Sequence, residues 1–268
     1  MKKFAWVLSL LFLVHLSACT APRAGDPAVT LNVLAAASLS DAFQEMAPAF
    51  ETAHPGFIVQ FNFAGSQQLA QQLASGAPAD IFASANQKQM EVAVEAGRVE
   101  QDAAVPFVQN RLVVVVPSAN PAGIASLKDL AKPGLKLVFA AKEVPVGQYT
   151  LDFLTKADMD ASLSDGFAAK VLANVVSYEE NVKAVLAKVS LGEADAGIVY
   201  TSDAASADGK VTQIAIPDTL NILADYPIAV IEDSPLPELA AAFIQWVQSD
   251  QGQTVLKKYG FLPIKNQP

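Results

Sequence analysis

One feature restricts the fold more than any other. Short apolar runs repeatedly give way, through small or hydroxyl-bearing residues, to segments whose apolar positions recur with helical spacing. The run 31–36 has the length and composition of a strand buried on both faces. Ala37-Ser38-Leu39-Ser40 follows, after which Leu39, Ala42, Phe43, Met46 and Phe50 share one helical face until Pro55-Gly56 ends it. A second strand is expected over 57–63, then Ala64-Gly65-Ser66 and a helix burying Leu69, Ala70, Leu73 and Ala74. The run 80–83 is a further short strand, with a helix behind it through Val92 and Val94. Strands alternating with helices imply an α/β fold with a mostly parallel sheet.

With 268 residues the chain exceeds a typical single domain, so two lobes are expected. The β-branched run 111–116, closed by Pro117, reads as the crossing into the second lobe. A strand over 135–140, helices over 148–156 and 182–189 and a strand over 196–200 build that lobe, and 226–231 runs back. A final helix, 236–246, starts at a proline and packs on the first lobe. The expected division is lobe I over 29–110 and 224–268, and lobe II over 111–223.

The first residues read as a targeting signal. Lys2 and Lys3 precede an apolar run over 4–16, too short to anchor in a bilayer. Leu16-Ser17-Ala18-Cys19 resembles the lipobox of bacterial lipoproteins, which makes Cys19 the expected lipidation site, 1–19 the leader and 20–28 a tether. Cys19 is the single cysteine, so no disulfide can form within the chain. Cleavage leaves 16 Lys and Arg against 27 Asp and Glu, a surface that repels nucleic acid.

The junctions themselves carry the chemistry. Ser38 lies three residues before Asp41, a capping-box-like spacing, and Ser66 stands in an N-cap position. Val146-Gly147 opens the helix bearing Leu151 and Leu154; Asn181-Val182 opens one with Val182, Val185, Leu186 and Val189 on a face. Helix N-termini present unpaired N–H groups and a positive dipole end, so they suit anions. In open α/β sheets, ligands bind beyond the carboxyl ends of the strands, where these junctions fall. Singly, each has an ordinary explanation: a serine caps, Gly147 permits a tight turn, Val182 fills a core and Tyr200 packs.

Taken in order, the segments Ala35-Ala36-Ala37-Ser38-Leu39, Phe63-Ala64-Gly65-Ser66 and Gly76-Ala77-Pro78-Ala79-Asp80-Ile81-Phe82-Ala83-Ser84-Ala85 resemble the bacterial periplasmic molybdate-binding proteins. So do Val144-Pro145-Val146-Gly147, Glu180-Asn181-Val182, Gly197-Ile198-Val199-Tyr200, Tyr226-Pro227-Ile228-Ala229-Val230 and Tyr259-Gly260-Phe261. The resemblance implies a type II periplasmic-binding-protein fold, two lobes each built on a mixed, mostly parallel sheet flanked by helices. It implies hydroxyl and N–H donors at Ser38 and Ser66, main-chain N–H donors at Val146 and Val182, and a phenolic donor at Tyr200. The implied role is delivery of molybdate, or its near-isostere tungstate, to the permease of an ABC importer. The protein would work as a monomer outside the cytoplasm, in the periplasm or at the outer cell surface, with lipid as its only membrane contact and no cofactor. Two positions depart from the family pattern: Gln67, whose amide could crowd or supplement the pocket, and Val146, commonly Ala.

None of these motifs contains Lys or Arg, which suits a fully deprotonated oxyanion; phosphate keeps a proton near neutral pH and would want a carboxylate acceptor. Asp41, Asp80 and Asp203 read as caps or supporting residues. The alternative within the same class is a receptor for sulfate or another small oxyanion. A serine hydrolase would need a base, and beyond the leader only His54 is available. No His or Cys cluster suggests a bound metal ion, and no DNA-reading module is present.

Overall fold

The computed structural model describes residues 28–163 and 165–264. Cys19, the leader and the tether up to residue 27 lie outside them. In chain order the elements are β1 (Val29–Ala36), a 3-10 turn (Ala37–Leu39), α1 (Ser40–Ala53), β2 (Phe57–Ala64), α2 (Ser66–Ala74), β3 (Ile81–Ala83), α3 (Gln87–Glu95) and β4 (Val105–Pro117). After a second 3-10 turn come β5 (Leu137–Ala140), α4 (Pro145–Asp158), α5 (Phe167–Ala173), β6 (Val175–Glu179), α6 (Val182–Ser190), β7 (Ala196–Tyr200), α7 (Thr201–Ala205) and β8 (Val211–Ala215). The chain closes with β9 (Leu223–Val230), α8 (Pro237–Gln248) and α9 (Asp250–Lys258).

The strands run in the order β2-β1-β3-β9-β4-β7-β5-β6, with β8 also pairing β4. Parallel pairs sit at both ends, β1 with β2 and β3, and β5 with β6 and β7. The antiparallel pairs all involve β4 or β9. β4 changes partner midway. From Val105 to Arg111 it pairs β9, and from Leu112 onward it pairs β7 and β8. This long strand is thus shared by two half-sheets. It begins earlier than the β-branched run indicates, because Pro106 falls at a register irregularity and Gln109-Asn110-Arg111 interrupts the apolar pattern.

Burial follows the periodicity. α1 buries Ala42, Phe43, Met46, Ala47 and Phe50, and α8 answers with Ala240, Phe243, Ile244 and Val247. Phe243 meets Phe50 edge-on at 5.1 Å and Phe43 at 5.9 Å, so this aromatic cluster fixes α8 against the first half-sheet. Phe243→Ala should therefore lower unfolding free energy by about 3–5 kcal/mol, read by denaturant titration. A loss below about 1 kcal/mol would mean that the cluster collapses around the gap.

Candidate functional site

The carboxyl ends of β1, β2 and β7 deliver Ala36, Ala64 and Tyr200 to a small cavity. Its other walls are the first turns of helices: Ser38 in the 3-10 turn, Ser66 in α2, Pro145 and Val146 in α4, and Val182 in α6. All five residues singled out in the sequence line this one space, and all are buried. The cavity is tight, with a free volume of about 10 Å³, far below the roughly 300–1,000 Å³ usual for organic ligands. No lining residue carries a formal charge.

The local reasons differ from two of the sequence expectations. Ser38 does not cap α1: it lies inside the 3-10 turn and makes no capping bond, and its Oγ is 2.9 Å from the Tyr226 hydroxyl. Ser66 is the first residue of α2 rather than its N-cap. Gly65 takes the N-cap position in extended backbone, and the Gln68 Oε1 accepts its N–H at 3.3 Å. Both corrections have a chemical consequence, because a serine engaged as a cap would have its oxygen turned to its own helix. Instead Ser66 Oγ accepts the Ala85 N–H at 3.0 Å, which leaves its own O–H free to donate into the cavity.

The helix starts are as the spacing suggests. Asn181 caps α6 through its Oδ1, which accepts the Ala184 N–H at 3.0 Å and leaves the Val182 N–H without an intrahelical acceptor. Pro145 occupies the start of α4, where its missing N–H has no consequence for the helix, and Val146 follows. Gly147 is not at a tight turn. It lies in the first turn of α4, where an added Cβ would collide with the carbonyl oxygens of Ala140 and Ala141.

Tyr200 supplies the most telling atom. It is 1% exposed, and its hydroxyl has no hydrogen-bond partner among the described residues. Burial first, then the neighbouring Tyr226, Tyr149 and Asp203, raises its pKa well above the usual phenol value. The group therefore stays an O–H donor throughout the physiological range. A buried, unpartnered donor of this kind destabilises the empty site by about 1–3 kcal/mol unless something accepts from it.

A family model described as bacterial extracellular solute-binding protein matches residues 31–262. The chain belongs to this family. The solute-binding protein is 39% identical over 232 residues to the molybdate-binding protein ModA of Mycobacterium tuberculosis (strain ATCC 25618 / H37Rv), covering 87% of this chain and 84% of that protein. It is 33% identical over 237 residues to ModA of Escherichia coli (strain K12), covering 86% and 88%. The solved Azotobacter vinelandii periplasmic molybdate-binding protein matches with a TM-score of 0.74 at 21% identity, covering 87% of this chain and 98% of that one, a likeness of fold.

Around its cavity the solute-binding protein places charges that the motifs do not reveal. Lys183, one residue beyond Val182, puts its Nζ 2.5 Å from Asp41 Oδ2 and 3.6 Å from the buried Asp203 Oδ1. Asp41 is thereby an ion-pair partner across the two halves rather than part of a capping box. Partial burial pushes its carboxyl up, but the hydrogen bond and charge of Lys183 outweigh this and leave it below its ordinary value. Asp203 accepts the Tyr200 N–H at 3.2 Å, and burial, opposed by Lys183, brings its carboxyl up to about 6. Asp80 stands apart, accepting from the Asn32 N–H at 2.7 Å and the Ser234 hydroxyl at 2.6 Å.

Asp203 gives a pH signature. Its folded value of about 6 exceeds the unfolded 3.8, so the folded state binds the extra proton between these limits. Stability should then fall as pH rises from about 4 to 6, by roughly 3 kcal/mol from this group. Asp203→Asn should flatten that segment of the stability–pH curve measured by denaturant unfolding. A variant curve parallel to the wild type would remove Asp203 as its source.

Gln67 neither lines the cavity nor crowds it. Its Nε2 donates to the Glu180 carbonyl at 2.9 Å, while the Gln68 Nε2 donates to the Glu180 carboxylate at 3.1 Å. Both contacts join α2 to the segment that precedes α6. Gly65 is needed beneath them, since a Cβ there would lie 2.5 Å from both the Gln67 Oε1 and the Glu180 carbonyl oxygen. The residues missed in the sequence are Lys183, Ala85, Tyr226 and Asn110. Tyr226 and Ala85 had a signal, their places in matched segments.

Proposed function

We propose that this solute-binding protein captures molybdate, and also its near-isostere tungstate, for an ABC importer, holding the oxyanion between two lobes that close upon it. The lobes are residues 29–110 with 224–268, and 111–223, hinged where β4 and β9 cross. Ser38 and Ser66 donate from the first lobe, and the Val146 and Val182 N–H groups and the Tyr200 hydroxyl from the second. The observation that supports this best is the character of the cavity: neutral donors, one of them buried and unpartnered, with no charged side chain in its lining. A dianion stripped of water needs each oxygen hydrogen-bonded, and bonds to a charged acceptor contribute about 1.5–3 kcal/mol each. A donor-only lining favours an anion with no proton to place. Cavity size would then separate molybdate from the smaller sulfate.

Delivery without chemistry fits the same geometry. His54, the one histidine among the described residues, stacks on Phe50 at 4.1 Å at the far end of α1, a helix about 21 Å long, so neither serine has an imidazole beside it. The protein is secreted and tethered through lipid on Cys19, acts as a monomer, and hands its cargo to the membrane permease in the closed form. No helix among the described residues is long and apolar enough to cross a membrane.

Thermal unfolding with added anions tests the reading. Molybdate and tungstate at 100 times their Kd should each add about 2.7 kcal/mol of stability. Sulfate and phosphate at the same concentration should add far less. A shift with sulfate or phosphate but not with molybdate would replace this reading with another oxyanion receptor.

A further inference from the structure

Behind Ser38 lies a buried polar chain that the proposed donor set does not include. Tyr226, in β9, places its hydroxyl 2.9 Å from Ser38 Oγ, and Asn110, in β4, places its Nδ2 3.5 Å from that hydroxyl and 2.8 Å from Ser202 Oγ. Asn110 and Tyr226 are both fully buried. Two hydrogen bonds fix which way the Asn110 amide faces. Its Oδ1 accepts from the Arg111 N–H at 3.0 Å and from the Thr201 hydroxyl at 2.9 Å, and a backbone N–H can only donate. The Nδ2 therefore faces Tyr226 as a donor. The Tyr226 oxygen accepts from it, and Ser38 Oγ lies 2.9 Å away in a pair where either oxygen can donate. With Tyr226 as the donor of that pair, the acceptor position of Ser38 is filled and its O–H points away from Tyr226.

We infer that Tyr226, held by Asn110, is a positioning residue that fixes the Ser38 hydroxyl as a donor to the bound oxyanion. An unconstrained serine hydroxyl rotates among acceptors and can present its lone pairs to the anion, which repels. The chain from Asn110 through Tyr226 removes that alternative before the ligand arrives. It also starts where β4 changes partner, and Asn110 bonds Thr201 and Ser202 directly after Tyr200. The donor geometry of Ser38 is thus tied to the strand crossing on which closure turns. This inference rests on Ser38 contacting the anion, as proposed above.

A double-mutant cycle read by molybdate affinity tests it, with unfolding of the unliganded protein as the check on folding. Tyr226→Phe should weaken molybdate binding about tenfold in the wild type. In a Ser38→Ala background the same change should have almost no effect, since the group it orients is gone, while in a Ser66→Ala background it should again weaken binding about tenfold. Equal losses in all three backgrounds, or none in the wild type, would overturn the inference. If Tyr226→Phe does not fold, Asn110→Asp serves instead. An acceptor there reverses the chain, and its loss must be smaller with Ser38→Ala than without; equal losses would be contrary. Wild-type protein that ignores molybdate altogether would instead reject the reading of the ligand.

Discussion

Val182→Pro should weaken molybdate binding by about 2–3 kcal/mol, roughly 30- to 150-fold, while the protein stays folded. The substitution removes the N–H at the first position of α6, where proline is well tolerated, and exchanges the buried valine side chain for an apolar ring of similar bulk. Asn181 before it is already extended, at φ −158° and ψ 168°, as a residue preceding proline must be. The cap from Asn181 to the Ala184 N–H does not involve the changed residue. Most mutations of a main-chain donor perturb the helix that carries it. This one separates the two effects, since an anion oxygen would lose its partner inside a closed cavity while α6 keeps its ladder. Calorimetric titration with molybdate reads the loss. Unchanged affinity in a folded variant would take the α6 terminus out of the site.

Tyr200→Phe should move stability and affinity in opposite directions. The unliganded protein carries a buried hydroxyl without an acceptor, and removing it should stabilise that form by about 1 kcal/mol, raising Tm by roughly 2–4 °C. Binding should weaken by about 1.5–3 kcal/mol because the same hydroxyl is satisfied only by the anion. A tyrosine that merely packs, as its edge-on contact with Tyr226 at 5.8 Å would allow, would give no change in affinity. The paired readout distinguishes a donor kept in reserve from a ring that fills space.

How far such features can be read from the chain depends on how local they are. The α/β alternation is legible because each unit rests on a few consecutive positions, an apolar run, a small residue, then helical spacing; the five lining residues follow only from the resemblance of the ordered segments to a family. The strand β7 is read to its ends since Ala196–Tyr200 is buried throughout. By contrast β6 and β8 pass unnoticed, for their residues alternate with exposed positions and Val176 and Tyr178 face solvent. α9 is similarly masked, because it buries little beyond Gly252 and Leu256.

The supporting shell is harder still. Lys183 meets Asp41 across 142 positions of sequence, and Ser38 meets Tyr226 across 188, so no spacing rule connects them. Asn110 reads as a polar interruption in a strand, yet it is fully buried at the partner change of β4. The expected capping roles of Ser38 and Ser66 fail for a related reason. Tertiary partners, the Tyr226 hydroxyl and the Ala85 N–H, compete for oxygens that a local rule assigns to the helix.

The most direct measurement is a crystal structure of the protein with molybdate, the metal located by its anomalous scattering. A single tetrahedral anion should lie in the cavity between β1, β2 and β7, its oxygens within hydrogen-bond distance of Ser38, Ser66, Val146, Val182 and Tyr200, with no Lys or Arg in contact. Molybdate bound elsewhere, or held by Lys183 in place of these neutral donors, would contradict the account.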